Sequence, residues 1–533
     1  MRNLFGTPQV WTLALAVGMA STPAFAQAQQ PAPAPAPAPA QGGMSAPVER
    51  YTVGQAMPEL QPGTKMMSLT LEQAMNMALE NNLDLKVARM NPQSLDYQLA
   101  SARAAFMPQF TGSYSYNDQS VLNNDANYPV NSFNNKNASY QASMSKTMPW
   151  YGGRLTSNFS SSRGASTNPR TTLNPNFQAG GSVSYVQPLF RGLRIDDTRN
   201  QLRTLSIQRQ VADITLMTTI ENTKANVRTA YWNLRQAIEQ IEIQKRSLEL
   251  ANRLFQDNRT KVEIGTLAPI ETTTSETQVA NAEQALLDAQ IRWTTAELAL
   301  KRLLANGPGD AVYTATINPL ETASLSAPSV DIAGAVQRAV AERSDITQAK
   351  RNLEVSRLNL EVTQDATRPQ LDVTGTYSLT GQNALSQGVL SGYGAAFSQA
   401  FGLELPTWRV QFNATYPLFM RAAKANFARA QLQIAQAEAQ LKASELTVTA
   451  DVTNAGLAVN NTYKQYQASV KAREAAEKNA EAEQTRFDVG MSTNYNVVQA
   501  QNNLTSQRLT ELRNLINYLN AVAEFERIQR FGR

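Results

Sequence analysis

The stretch "VQPLFRG" at residues 186–192 recurs in related form as "TYPLFMR" at 415–421. After the first copy the chain continues for roughly seventy residues without glycine or proline, and after the second it does so with one exception, Gly456. Because glycine and proline are the residues that most destabilise a helix interior, both stretches predict long helices. From 194 to 260 the first helix would measure about 100 Å, which is longer than a globular core can enclose.

The residues around these two motifs repeat in the same order, which indicates a tandem duplication. We predict repeat 1 at 68–309 and repeat 2 at 331–533, with a linker rich in Pro, Ser and Ala at 310–330. Each repeat is predicted to contain a helix, two strands, a long helix and a shorter helix. In repeat 1 the first helix would kink at Pro92.

Within the first long helix, apolar residues recur with the 3.5-residue period of coiled-coil packing. The positions are Val227, Tyr231, Leu234, Ile238, Ile241, Leu248 and Phe255. The predicted fold class is therefore mixed, with long packed helices and short strands in each repeat.

The predicted strands alternate apolar and polar residues with a period of two, so each has one apolar and one polar face. They lie at about 109–117 and 181–189 in repeat 1, and at about 370–379 and 408–417 in repeat 2. The apolar positions that we predict to face lipid are Leu371, Val373, Tyr377, Val410 and Phe412. Strands of this kind also occur in soluble sandwiches, so their context has to decide.

The N-terminus supplies that context. Residues 1–26 have a positive start, an apolar stretch and small residues before a cleavage site, which predicts an exported protein. A Pro/Ala-rich linker follows at 27–67. Strands of about ten residues with aromatic residues near their ends are typical of outer-membrane barrels. Because four strands cannot close a useful channel, the barrel would be shared between subunits.

The amino-acid composition excludes several classes of catalytic and metal-binding site. The chain has no cysteine and no histidine, which excludes thiol and imidazole catalysis, disulfides, and metal sites built on thiolate or imidazole ligands. No motif indicates an enzyme, a metal site or a cofactor. The net charge of +5 is spread along the chain rather than gathered on one face, which argues against nucleic-acid binding.

Four prolines mark the junctions between strands and helices, where a missing backbone donor does least harm. These predicted hinges are Pro108, Pro188, Pro369 and Pro417. Repeat 1 also carries additional residues between its strands, and the segment at about 138–163 is predicted to form an extra hairpin. It would either form an extracellular loop or add two membrane strands to each subunit, and we favour the added strands.

Almost the whole mature chain resembles the TolC-type outer membrane efflux protein family. The resemblance rests on the tandem repeat, on "QPLFRG" at 187–192, and on the phrases "KVEIGTLAPIE" at 261–271 and "RFDVGMSTNYNVVQAQ" at 486–501. It implies a homotrimer that forms an outer-membrane β-barrel and a long periplasmic α-helical barrel. It also implies a periplasmic adaptor protein and an inner-membrane pump as partners, in a cell of the Gram-negative type.

By this resemblance, two turns would be the periplasmic tips that dock onto the adaptor. Their residues are Gly265, Thr266, Leu267, Gly490, Met491 and Ser492. The best-known members of the family narrow the pore with two aspartates and latch it with an arginine; counting from Gly490, these positions here hold Asn496, Gln499 and Ser492. Glu271 is the nearest acidic candidate for the constriction.

The sequence therefore predicts a passive outer-membrane exit duct of a tripartite efflux or type I secretion system. The alternative is a structural or adhesive coiled-coil protein of the periplasm or cell surface, which would have no use for an apolar strand face.

Overall fold

The computed structural model describes residues 53–60, 63–122, 132–171, 173–322, 329–384, 392–403 and 405–531. The chain divides into two compact units, Met1–Tyr51 and Thr52–Arg533, and the described residues all lie in the second. The predicted signal peptide at 1–26 and most of the predicted linker at 27–67 lie outside the described residues.

The first half of the chain contains β1 (Met66–Leu69), α1 (Leu71–Asn81), α2 (Leu83–Ala104), β2 (Gln109–Leu122), β3 (Ser132–Thr147), β4 (Arg154–Ser166), β5 (Asn176–Pro188), α3 (Asp197–Glu263) and α4 (Ile270–Leu304). The second half contains α5 (Ala311–Thr314), β6 (Thr316–Pro319), α6 (Ile332–Glu342), α7 (Ser344–Asp365), β7 (Gln370–Ala384), α8 (Tyr393–Phe401), β8 (Pro406–Thr415), a 3₁₀ turn (Leu418–Met420), α9 (Arg421–Asp488) and α10 (Asn494–Ile528). The order of a helix pair, strands, a long helix and a shorter helix occurs twice, which confirms the tandem repeat.

The first predicted helix of repeat 1 is divided at Asn82 into α1 and α2, a break that the sequence analysis did not predict. The Asn82 side chain accepts a hydrogen bond from Leu85 N at 3.0 Å and donates one to Leu303 O at 3.2 Å. These contacts satisfy the backbone donor at the start of α2 and tie the break to α4. Pro92 lies buried inside α2. In repeat 2 the corresponding break falls at Arg343, between α6 and α7.

Strands lie in or next to both predicted linkers. β6 lies inside 310–330, and β1 begins at the last two residues of 27–67. β1 pairs in parallel with β6, with Met66 opposite Thr316 and Leu69 opposite Pro319. All four residues of β6 are buried. The pairing joins segments about 250 residues apart, so it depends on long-range contacts that local sequence does not reveal.

A buried ion pair fixes these strands to the middle of α3. The side chain of Glu239 is fully buried and accepts hydrogen bonds from Gly54 N at 2.8 Å and Ala56 N at 3.1 Å. Arg235, one turn earlier, donates to the same carboxylate at 3.0 Å and to Pro319 O at 2.9 Å. Because a buried carboxylate is costly unless it is paired and hydrogen-bonded, the bonds from Gly54, Ala56 and Arg235 explain how the fold tolerates Glu239.

The two long helices have 67 and 68 residues, so each is about 100 Å long. In α3 the predicted apolar stripe is buried from Val227 to Ile241. Beyond it the prediction is wrong in phase: Leu248 and Phe255 are half-buried, whereas Ala251, Leu254 and Asn258 are buried. This part of α3 also packs against α10, so a different side of the helix is buried here.

Six strands form one antiparallel sheet in the order β2-β3-β4-β5-β7-β8. The extra hairpin of repeat 1 supplies β3 and β4, which extend beyond the predicted 138–163 in both directions and lie between β2 and β5. The hairpin is therefore part of the sheet and not a separate loop. The other strands differ from their predicted bounds by a few residues, and β2, β5 and β7 are the ones that are longer. In the described chain, β2 and β8 are the unpaired edges.

Candidate functional site

The sheet has one mainly apolar face and one polar face, and both continue across all six strands; the mainly apolar face also carries Asp118, Lys136, Lys146 and Arg163. The register places alternate residues of paired strands on the same face. The apolar face includes Phe110, Tyr114, Tyr140, Met144, Leu155, Phe159, Phe177, Val183, Tyr185, Leu371, Val373, Tyr377, Leu379, Trp408, Val410 and Phe412. The opposite face consists mainly of Ser, Thr, Asn and Gln side chains. All five residues predicted to face lipid lie on the apolar face.

A short helix that the sequence did not predict covers part of this apolar face. In α8, Phe397 stacks on Phe159 of β4 with ring centroids 5.6 Å apart, and Tyr393 meets Phe177 of β5 edge-on at 4.9 Å. The helix backbone can approach β7 because residue 381 is glycine: a Cβ there would lie 2.1 Å from Ala396 O. The repeated apolar residues at i, i+3 and i+4 in 393–401 were the available signal.

The four hinge prolines lie at the ends of strands. Pro108 and Pro369 immediately precede β2 and β7, Pro188 is the last residue of β5, and Pro417 follows β8 by two residues. Each therefore stands where a strand and a helical segment meet. After Pro417, Phe419 and Met420 adopt positive φ angles of 67° and 45°.

The two predicted tips have the same backbone geometry. Gly265 and Gly490 both have φ of +77°, the left-handed region that glycine adopts without steric cost. In each turn the residue after the glycine donates a backbone hydrogen bond to the carbonyl five residues earlier, Thr266 to Lys261 at 2.9 Å and Met491 to Arg486 at 2.7 Å. This is the glycine-capped helix end that satisfies the last carbonyls.

Side chains at the tips differ in exposure. Met491 is 79% exposed, Thr266 is exposed and Leu267 is half-buried. Ser492 is half-buried and donates to Glu483 Oε2 at 2.7 Å. This hydrogen bond, together with one from Arg486, lowers the pKa of Glu483 below its ordinary value.

The three predicted constriction residues lie within the first turns after the tips but have different surroundings. Asn496 and Gln499 are exposed on α10. Glu271 on α4 accepts a hydrogen bond from Asn494 Nδ2 at 2.8 Å. Asn494 in turn accepts one from Asn258 Nδ2 at 2.8 Å, and both of these asparagines are buried.

This chain of contacts, Glu271 to Asn494 to Asn258, is a tip link that joins the two helical hairpins α3/α4 and α9/α10. The sequence analysis missed both asparagines, because nothing in either repeat alone shows that the hairpins meet there. Beside the tip link, Leu254, Phe487 and Val497 form a small buried apolar cluster. Lys261 Nζ lies 3.9 Å from the centre of the Phe487 ring, a cation–π contact between the same two hairpins.

Farther from the tips, a network of ion pairs joins α9 to α10. Arg473 Nε pairs with Glu511 at 2.6 Å and its Nη1 with Glu477 at 2.9 Å, while Arg508 Nη2 pairs with Glu477 at 2.8 Å. Burial raises the pKa of Glu511 above its ordinary value, and Arg473 opposes that shift. The network links the two helices of one hairpin, unlike the tip link.

Across the part of the chain that the structure describes, no group of His, Cys, Asp or Glu side chains could hold a metal ion. None of the helices in those residues is both long and apolar enough to span a membrane.

The family model for outer membrane efflux proteins matches residues 74–306 and 335–528. The chain belongs to this family. The two matched segments lie one in each repeat, so the duplicated plan extends across most of the outer membrane efflux protein described here. Its role is accordingly efflux through the outer membrane, and an enzymatic activity is not part of what the family does.

Solved structures of outer-membrane channels share the fold. The CmeC outer membrane channel of Campylobacter jejuni superposes with a TM-score of 0.64 at 17% identity, covering 86% of this chain and 85% of CmeC. VceC of Vibrio cholerae gives 0.63 at 13% identity, covering 86% and 96%. The MtrE outer membrane channel of Neisseria gonorrhoeae, in its open state, gives 0.58 at 17% identity, covering 91% and 96%. No similar chain was found among curated protein sequences.

Proposed function

We propose that three copies of this efflux protein close one β-barrel in the outer membrane and continue into the periplasm as a helical barrel, forming a passive exit duct. The observation that carries the proposal is the six-stranded sheet, which has one mainly apolar face and two unpaired edges among the described residues. In lipid, an open sheet edge would leave backbone groups without hydrogen bonds, so the sheet has to close. Pairing β8 of one copy with β2 of the next does this.

In such a closed barrel, the two faces of the sheet have different environments. The apolar face contacts lipid, and the hydroxyl and amide face lines a water-filled lumen. Trp408 lies near the start of β8, opposite Tyr377 in the middle of β7, and Tyr416 follows the other end of β8; both are exposed. Aromatic residues near strand ends are typical of membrane barrels. Three copies of six strands give an eighteen-stranded wall, and α8 would lie on its lipid side.

The tips at Gly265 and Gly490 are the proposed docking surface for a periplasmic adaptor, which would connect the duct to an inner-membrane pump. The exposed side chains of Thr266 and Met491 and the half-buried Leu267 support this assignment, because they are available to a partner without rearrangement. The energy for transport would come from the pump.

The closed gate is proposed to lie just above the tips, at Asn496 and Gln499. These amides are exposed, whereas Glu271 is engaged in the tip link. Three subunits would therefore surround the axis with uncharged amide groups, which attract cations far less than carboxylates do.

Engineered cysteines test the closure directly, since the chain has none of its own. Single cysteines in β2 and β8 that face each other across the proposed seam, for example at Ser113 and at Gln411 or a neighbouring position, should form disulfide-linked trimers in outer-membrane extracts. A pair in the internal strands β3 and β5 should not link copies. Monomers in every β2 and β8 combination would favour the alternative of a periplasmic or surface scaffold.

A further inference from the structure

The polar face of the sheet carries very few charges. Among its described strand residues, the charged side chains are Arg154, Asp372 and Arg409. The remaining positions are almost all serine, threonine, asparagine, glutamine or small residues. A face of this composition contributes hydrogen-bonding groups to a lumen but little electric field, so each charge on it stands out.

Two of the three charges lie at the same end of the sheet and have opposite signs. Arg154 pairs with Val186 and Asp372 pairs with Pro188, both at the end of β5 that leads into α3. Their contributions to the field in the lumen therefore largely cancel.

Arg409 is different because nothing in its described surroundings offsets its charge. It is exposed and pairs across the strands with Thr376, and its neighbours on the same face of β8 are Thr407 and Gln411. Thr376 is four residues from Asp372 along β7, about 13 Å at 3.3 Å per residue. No acidic side chain in the described part of the chain forms an ion pair with Arg409.

We propose that Arg409 gives the β-barrel part of the duct a preference for anions, through a ring of three guanidinium groups in the lumen. The inference rests on the proposed trimeric barrel, which turns one exposed arginine into three around a common axis. It identifies the favoured solutes by chemistry: small anions and the anionic forms of exported compounds. It also places the ion selectivity in the barrel and not at the amide gate, because the gate has no charge of its own.

The dimensions support an effect at low salt. Eighteen strands spaced about 4.8 Å apart and tilted about 40° give a wall roughly 36 Å in diameter. An arginine side chain reaches several Å inward from that wall, so the axis is about 11 Å from each guanidinium. The Debye length is about 30 Å at 0.01 M salt and 3 Å at 1 M. In dilute salt the positive potential of the ring should therefore extend across the whole lumen. In concentrated salt it should reach almost none of it.

The test is ion selectivity of purified trimers in planar bilayers, measured as the reversal potential between 10 mM and 100 mM KCl. The unmodified protein should prefer chloride, Arg409→Gln should bring the reversal potential close to zero, and Arg409→Glu should reverse its sign. Repeating the measurement near 1 M KCl should erase the differences among the three proteins.

Two further variants separate a field in the lumen from a general effect of substitution. Arg163→Gln makes the same change on the apolar face and should leave selectivity as it is. Arg409→Gln combined with Gln411→Arg moves the charge by two residues on the same face and should restore the chloride preference.

Equal reversal potentials for the unmodified protein, Arg409→Gln and Arg409→Glu, in channels of normal conductance, would overturn the inference and leave the duct intact. Monomers in every β2 and β8 cysteine combination would contradict the proposed duct itself, and the inference with it.

Discussion

Replacing Val410 with arginine should strongly reduce assembly of the protein in the outer membrane. Val410 lies in the middle of β8 on the apolar face, opposite Gly375, and is 53% exposed. No side chain of the partner strand covers it. In the proposed barrel it therefore faces lipid near the midplane, where an arginine has no water and no counter-charge.

The size of the effect follows from the cost of such a charge. An arginine on the lipid face near the midplane costs about 2–4 kcal/mol in a membrane barrel. At about 1.4 kcal/mol for each factor of ten, this is roughly a 30- to 700-fold change in the equilibrium for each subunit. Because three subunits assemble together, the trimer should be affected more than any single subunit.

The neighbouring residue provides a matched control. Gln411→Arg introduces the same charge one position along β8, but on the polar face opposite Thr374. It should leave assembly unchanged. Trimer in outer-membrane fractions can be followed by its altered migration on gels after heating, and export by accumulation of a fluorescent substrate. Similar trimer levels for Val410→Arg and Gln411→Arg would refute the assignment of the two faces.

Three further outcomes are expected. A charged substitution such as Met491→Glu should abolish export while trimer levels stay normal, because it touches only the proposed docking surface; normal export would argue against docking there. Asn496→Asp combined with Gln499→Glu should make channel current sensitive to trivalent cations from the periplasmic side, most strongly at low salt, and strong block of the unmodified protein would place the constriction elsewhere. Gly381→Val should displace α8, since its Cβ would lie 2.1 Å from a backbone oxygen of that helix, and lower the temperature at which trimers dissociate, whereas Gly375→Val meets no atom within 4 Å and should not.

Local sequence was sufficient for features that depend on local physics. A period of two identified the strands, and the absence of glycine and proline identified the long helices, because both patterns reflect the geometry of one element. The tips were visible for the same reason: Gly265 and Gly490 end helices with positive φ, which glycine favours.

Features that depend on contacts between distant segments could not be predicted. The pairing of β1 with β6 and the buried Glu239 arise where the N-terminal segment meets the middle of α3. In the tip link, Asn258 and Asn494 are 236 residues apart. A buried asparagine is indistinguishable from a surface one in the sequence until the partner that satisfies it is known.

The break at Asn82 depends on a tertiary contact as well as on a local one. Proline in a helix interior removes one hydrogen bond, which is why the sequence indicated a kink at Pro92. The break between α1 and α2 falls at Asn82, whose side chain both caps α2 and bonds to Leu303 O of α4, so it is stabilised where two helices meet.

The extra hairpin and α8 depend on each other, and this bears on the width of the duct. Phe397 of α8 stacks on Phe159, which belongs to β4, and Phe401 lies 6.5 Å from the same ring. Without β3 and β4 the helix would lose that contact, and without α8 the Phe159 ring would lose its cover. Since β3 is paired along its length with β2, and β4 with β5, the hairpin cannot leave the sheet without breaking two ladders. A barrel closed from this sheet therefore includes all six strands of each copy, and its lumen is wider than four strands per subunit would allow.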